Sequence, residues 1–229
     1  MQKQIIISGA TGNLGGEVLK KLSGLGYGLH INIRDSGKAK DFDQKTISTY
    51  PADLSDETQA LGFVEDAIKK AGRINAGIFL AGGFAPGKLA DTTPADIEKM
   101  ITMNFSTAFN LVKPLKAHFE ANGGGQLIFI GARPALVAAQ GAGSFAYTLS
   151  KSLLFQMAEM INAEGKASNI TASVVVPSII DTPDNREAMP DSDFSKWIST
   201  ADMAEGIAFI LSETGGKMRE TVLKLYNQA

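Results

Sequence analysis

The chain has no cysteine. That excludes disulfide staples, thiolate metal sites and a cysteine nucleophile. Histidine is nearly as scarce: His30 and His118 are the only two, and they share no spacing. A metal site needs more ligands than these, so both read as structural or surface residues and no metal is expected. No apolar run approaches the ~20 residues that span a bilayer. The Ile5-Ile6-Ile7 run behind Met1-Gln2-Lys3-Gln4 stops at Ser8-Gly9, too short for the core of a signal peptide. A net charge of −2 offers no basic footprint to nucleic acid or an anionic membrane. There is no Gly-x-Ser-x-Gly elbow and no evident Ser–His pair. The expectation is a cytoplasmic protein that works on a small molecule, without metal, nucleic acid or membrane as partner.

Glycine, by contrast, is abundant: 24 of 229 residues, against about 7% in an average protein. It follows no strict period, so it points to tight turns and close backbone approaches. Short runs rich in Ile and Val alternate with helical patterns. Strands are expected at Gln4 to Ser8, Leu29 to Arg34, Thr46 to Tyr50, Ala76 to Leu80, Gln126 to Gly131, Ile170 to Pro177 and Thr221 to Tyr226. Most are apolar on both faces, as in a buried parallel sheet. Helices are expected at about 13–24, 55–71, 94–121, 143–166 and 200–212. This alternation predicts a single α/β domain over 1–229, doubly wound, with a seven-stranded, mainly parallel sheet and helices on both faces. No repeat or linker divides it. One long irregular region, about 178–199, has the length of a functional lid.

The sharpest motif is Ser8-Gly9-Ala10-Thr11-Gly12-Asn13-Leu14-Gly15-Gly16. It leaves the first strand and opens a helix, the setting that turns a glycine pattern into a Rossmann dinucleotide site. Gly9 would make the tight turn, Gly12 would admit a pyrophosphate and Gly15 would let the helix pack closely. Thr11, Asn13 and Leu14 complete the loop. By itself such a loop could be an ordinary strand–helix turn. No Lys-Ser or Lys-Thr follows it, so it is not the loop of nucleotide triphosphatases.

Tyr147 and Lys151 stand four residues apart at the start of a helical stretch, hence on one face. A phenol with a pKa near 10 is a poor catalyst at neutral pH, and a neighbouring ammonium is expected to lower that value. Alone, the pair reads as a surface lysine and a half-buried tyrosine. Its conjunction with the glycine loop favours a proton donor.

On these residues the sequence resembles the short-chain dehydrogenase/reductase family over essentially its full length. Further markers fall in the family's order. Asp53-Leu54 follows the third strand, where the family contacts adenine. Leu80-Ala81-Gly82-Gly83 ends the fourth strand. Asn104 matches the helical active-site asparagine. Tyr147 and Lys151 match the catalytic pair. Pro177-Ser178-Ile179-Ile180-Asp181-Thr182 resembles the stretch that holds the nicotinamide. The resemblance thus implies catalysis by Tyr147, Lys151 and Asn104. It implies cofactor contacts from the glycine loop, Asp53, Leu54, Ala81, Gly82, Gly83, Lys151, Pro177, Ile180 and Thr182.

Departures are informative. Asn13 stands where a family glycine is common, and Gly82-Gly83 replaces the usual Ala-Gly. The family's serine after the fifth strand is missing, the segment reading Ile130-Gly131-Ala132-Arg133. The same features, and an Asp-Thr-Pro-x-Asn-Arg…Met-Pro…Asp-Phe…Trp run from Asp181 to Trp197, resemble the dihydropteridine reductase branch. That likeness implies hydride transfer to a small conjugated substrate, possible examples being a quinonoid dihydropteridine or a related carbonyl or imine. The competing readings are a general carbonyl reductase with a substitute donor such as Ser144, and a dinucleotide sensor without turnover. Arg34 after the second strand favours NADP, through its 2′-phosphate. Asp35 keeps NAD open, and the branch itself leans that way. Phe194 and Trp197 could line the substrate pocket or pin the lid; Arg133 could face substrate or cap its strand. The resemblance also implies a homodimer or homotetramer, with helices 94–121 and 143–166 on a two-fold axis.

Overall fold

The strands of the sheet are apolar because most have helices on both sides. In Ile5-Ile6-Ile7, Ile6 packs with one core while Ile5 and Ile7 pack with the other. Leu127 and Phe129 alternate with Ile128 and Ile130 in the same way. Period-2 geometry thus distributes one continuous apolar run between two layers. Only the edges lighten, as in Val222–Leu225, where every second residue is exposed.

A computed structural model describes residues 2–43 and 45–229; Met1, which opens the leader-like segment, and Gln44 lie outside them. In chain order the elements are β1 Gln4–Ser8, α1 Asn13–Gly24, β2 Gly28–Ile33, β3 Ile47–Pro51, α2 Glu57–Ala71 and β4 Ala76–Phe79. Next come α3 Pro94–Ile101, α4 Thr107–Ala121, β5 Gly125–Ile130, α5 Arg133–Leu136, α6 Phe145–Gly165 and β6 Ile170–Pro177. The chain closes with β7 Ile180–Asp181, α7 Pro183–Ala188, β8 Ile198–Ser199, α8 Thr200–Leu211 and β9 Val222–Leu225. The main sheet has the order β3-β2-β1-β4-β5-β6-β9. Every pairing in it is parallel. Helices α2, α4 and α6 supply one core, and α1 with α8 the other. Strand order reverses between β1 and β4, so the loops behind these strands part and leave a crevice. Among the described residues, no helix is long and apolar enough to cross a membrane.

Three expectations are corrected. The helix expected over 94–121 is not continuous: a π-helical turn, Thr102–Ser106, separates α3 from α4. Such turns widen a helix and re-aim its side chains, often at functional sites. The second strand ends at Ile33, so Arg34 leaves the sheet. The lid is not irregular: it holds α7 and the two-stranded β7–β8 sheet. Thr182 and Pro183 open α7, with Thr182 Oγ1 accepting from the Asn185 amide.

Candidate active site

The crevice is a cavity of about 930 Å³ lined by Gly9, Thr11, Gly12, Arg34, Asp53, Leu54, Ala81 and Gly82, among others. That volume suits a cofactor-sized ligand. Gly9 has φ +69°, and a Cβ there would lie 2.5 Å from the Ala81 amide nitrogen. A Cβ on Gly15 would lie 2.4 Å from the Gly9 carbonyl. Both glycines therefore let β1, β4 and α1 converge. Gly12 has room, with its nearest neighbour at 3.4 Å, and it caps α1 without any side-chain bond. Other helices have such caps: Asp56 on α2, Thr93 on α3, Ser199 on α8. The N-terminus of α1 thus opens beside the crevice-lining Gly12 without a side-chain acceptor, an arrangement suited to a phosphate. The remaining expected contacts, Asn13, Leu14, Gly15, Gly83, Lys151, Pro177, Ile180 and Thr182, are outside the cavity lining.

Arg34 and Asp35 divide their roles. The Asp35 carboxylate accepts the Gly37 amide at 2.9 Å and caps the following turn. Arg34 makes no such turn contact among the described residues; both residues are exposed at the cavity wall. Asp53, also on that wall, accepts from the Ser55 amide at 3.0 Å and the Ser55 hydroxyl at 2.8 Å. These bonds hold its carboxyl below the ordinary carboxylate range.

Behind Gly82, which lines the crevice, the buried Asn104 and Lys151 converge. A Cβ on Gly82 would lie 2.5 Å from Asn104 Oδ1 and 3.3 Å from Lys151 Nζ. The π-helical turn buries Asn104. Its Oδ1 accepts the Gly83 amide at 2.8 Å, and its Nδ2 donates to the Gly83 carbonyl at 3.1 Å. Nδ2 also donates to Ser150 Oγ at 3.0 Å, and that hydroxyl donates to the Tyr147 carbonyl at 2.7 Å. The turn after β4 is thereby linked to the first turns of α6.

One expectation about the pair fails here. Lys151 Nζ donates to the Ile130 carbonyl at 2.9 Å. Burial pushes its pKa down to about 8 and pushes Tyr147 up to about 12. Without a bound partner the ammonium does not lower the phenol, because desolvation dominates both groups. Tyr147 therefore keeps its proton firmly at neutral pH.

The short chain dehydrogenase family profile matches residues 3–193. The chain belongs to that family. It is accordingly an NAD(P)-dependent oxidoreductase. The chain is 27% identical to dihydropteridine reductase of Dictyostelium discoideum over 212 residues, which is 90% of this chain and 86% of that one. It is 26% identical to the 3-oxoacyl-[acyl-carrier-protein] reductase MabA of Mycobacterium tuberculosis over 232 residues, 97% and 91% of the two chains. Among solved structures, ElxO with NADP bound has a TM-score of 0.90 at 23% identity, covering 98% of this chain and 97% of that one. A blue fluorescent protein from a metagenomic library, in complex with NADPH, has 0.85 at 24%, covering 99% and 97%.

Ala132, in the segment after β5 where the resemblance expects the family serine, is buried. Ser144 is buried, and its Oγ lies 3.3 Å from Thr148 Oγ1 within the start of α6. Trp197 is only 5% exposed and packs 4.8 Å from the Phe194 ring, so it pins the lid. Arg186 spans the Asp181 carboxylate with two bonds and covers Phe194. Asn13 Nδ2 donates to Asp184 Oδ2 at 3.2 Å, which ties α7 to the glycine loop. Arg133, the first residue of α5, reaches Tyr226 and Ala229 and does not cap β5. His30 is held between Tyr50 and Gln4, and His118 accepts the Ile74 amide. Both are structural.

Two residues escaped sequence reasoning. Phe84 is 65% exposed, and its ring meets Tyr147 edge-on at 5.0 Å. Its place one residue beyond Gly83 is the only signal it offered. Ser150 carries the Asn104 link, and its position between Tyr147 and Lys151 could have suggested it.

Proposed function

We propose that this protein is an NADPH-dependent reductase of a small, flat, conjugated substrate of the pterin kind, with Tyr147 as proton donor. The observation that carries the reading is Tyr147 itself: a phenol kept protonated by burial, flanked by an exposed Phe84 ring, beside a wall that lacks the family hydroxyl. A simple ketone needs a second donor to polarise its oxygen; an electron-poor conjugated imine or carbonyl depends on one less. Ser144 is turned to Thr148, which weighs against its replacing the family serine in a general carbonyl reductase. The relative named dihydropteridine reductase supports the pterin version.

Arg34, free of the sheet and on the cavity wall, supports NADP over NAD, while Asp35 beside it commits one carboxylate oxygen to its turn. The α1 N-terminus would hold the phosphates, Asp53 and Leu54 the adenine end, and Lys151 with Pro177, Ile180 and Thr182 the nicotinamide end. When bound, the cofactor supplies a hydride. The chain's own part is to position the substrate against Phe84, donate the Tyr147 proton to its nitrogen or oxygen, and exclude water with the lid. Asn104 keeps the turn after β4 in register with α6.

The proposal includes a homo-oligomer built through α4 and α6. A groove of about 490 Å³ between them is lined by Phe105, Phe109, Val112, Leu153, Met157 and Met160. Phe109 and Met160 are exposed; such a patch marks an interface. A cytoplasmic location, supported by composition, belongs to the same reading. The test is loss of NADPH absorbance with quinonoid dihydropterin, a simple ketone and a 3-oxoacyl thioester compared side by side. Turnover of the pterin is expected. Reduction of the ketone or thioester alone would overturn the pterin assignment, and NADPH binding without any turnover would return the sensor.

A further inference from the structure

The proposed reaction makes no use of Arg133, although it directly follows the wall residue Ala132. Its guanidinium lies 4.8 Å from the centroid of the Tyr226 ring, and Nη1 donates to the Ala229 carbonyl at 2.6 Å. The segment it grips, just after β9, is itself bonded to the lid. Asn227 Nδ2 donates to the carbonyls of Ser195 at 3.1 Å and Trp197 at 2.9 Å. The Gln228 amide donates to the Lys196 carbonyl at 3.2 Å. At the lid's other root, Ser178 Oγ donates to the Tyr226 carbonyl at 2.6 Å. Three successive lid carbonyls, 195 to 197, thus find partners in two residues, Asn227 and Gln228. Asn227 adopts φ +50° to place them, a left-handed conformation that asparagine tolerates.

We propose that Arg133 is a positioning residue for the substrate lid. Through Tyr226 and the 227–229 segment it fixes the inner end of the lid, Phe194 to Trp197, against the loop after β5. The outer end, α7, is held separately, by Asp184 on Asn13. The lid is thereby anchored at one end to the substrate wall and at the other to the glycine loop. With no hydroxyl at position 132 to grip a substrate, the spacing between that wall and the lid has a larger share in setting its register. This last step rests on the reductase reading; the mechanical coupling does not.

Hydrogen exchange on the whole protein tests the coupling without any substrate. The Lys196, Trp197 and Ile198 amides are hydrogen-bonded to Asp193, Phe194 and Ile179, so their protection can be read. Arg133→Met keeps the aliphatic stem but loses the stacked charge and its bond. It should speed exchange at 196–198 about tenfold, the size expected for losing one charged hydrogen bond. Asn227→Gly keeps the left-handed backbone and removes both side-chain bonds. It should reciprocally speed exchange at 135–137. Arg133→Lys should restore part of the protection. In turnover, both disruptive variants should raise KM for the reducible substrate about fivefold or more, with kcat and NADPH affinity within about twofold. Wild-type exchange at 196–198 in Arg133→Met, or acceleration spread evenly over β1 to β6, would overturn the proposal. Changed exchange with no pterin turnover would leave the brace standing and remove only the substrate assignment.

Discussion

The two sides of the crevice are built from different materials. The side behind β1 and β4 is made of backbone: Gly9, Gly12, Gly15 and Gly82 leave space, and amides supply the contacts. The side behind β5 is made of side chains, Tyr147 and Lys151 of α6, met by the Phe84 ring from beyond Gly83. A surface of backbone is damaged by adding atoms, and a surface of side chains by removing them.

The largest effect expected is from removing a single oxygen on the side-chain half. Tyr147→Phe should lower kcat about a thousandfold, within the usual range for a lost general acid. NADPH affinity should stay within about twofold, and titration of cofactor fluorescence checks it. Full activity would take the phenol out of the mechanism and with it the contrast between the halves.

Adding one methyl to the backbone half should be nearly as damaging. In Gly9→Ala the new Cβ would lie 2.5 Å from the Ala81 nitrogen and 2.7 Å from the Leu80 carbonyl carbon, at φ +69°. Both contacts are backbone, so neither can swing aside. Left-handed strain and overpacking together should cost about 3 kcal/mol of stability, read from urea midpoints. A variant of wild-type stability that still binds NADPH would show that β1 and β4 do not need to approach so closely.

Lys151 makes the deeper floor sensitive to pH. Its folded pKa of about 8 lies below the ordinary 10.5. Between those values the unfolded chain binds more protons, so stability should rise with pH across that window, by up to about 3 kcal/mol. Tyr147 acts oppositely and later. Its folded pKa of about 12 lies above the ordinary 10, so its contribution falls as pH passes 10. Denaturation midpoints measured from pH 7.5 to 10 should climb, and Lys151→Met should flatten the climb. A flat wild-type profile would mean that the ammonium is better solvated than its burial implies.

The same contrast governs what was legible in the sequence. The order of strands and helices and the tight turn of the glycine loop could be anticipated because apolar periodicity and φ-restricted glycines are local signals; Asn104 was pointed to by the family resemblance alone. The π-helical turn was not, since nothing in Thr102 to Ser106 breaks a helical pattern. It is the clamp of Asn104 on Gly83, 21 residues away in sequence, that accompanies the wider turn. Phe84 and Ser150 were missed for a related reason: their roles come from contacts across the crevice. The pKa of Tyr147 was anticipated in the wrong direction. Spacing in sequence places Lys151 on the same face, but the ammonium bonds the Ile130 carbonyl, and burial decides the outcome.

The smallest expected effect lies at the outer rim, where the two materials meet. Arg34 is a side chain on the backbone half, and it is exposed, so solvent screens it. A charged hydrogen bond to a phosphate contributes roughly 1.5–3 kcal/mol, and exposure favours the lower end. Arg34→Ala should therefore weaken NADPH binding about tenfold and leave NADH binding unchanged, narrowing the preference between the two. The difference should shrink as salt is raised, since only the 2′-phosphate contact is lost. Equal weakening of both cofactors would mean that Arg34 supports the β2 loop in general. It would then be Asp53 and the α1 amides, common to both dinucleotides, that account for binding, and Asp35, the charged neighbour on that wall, would be left to distinguish them.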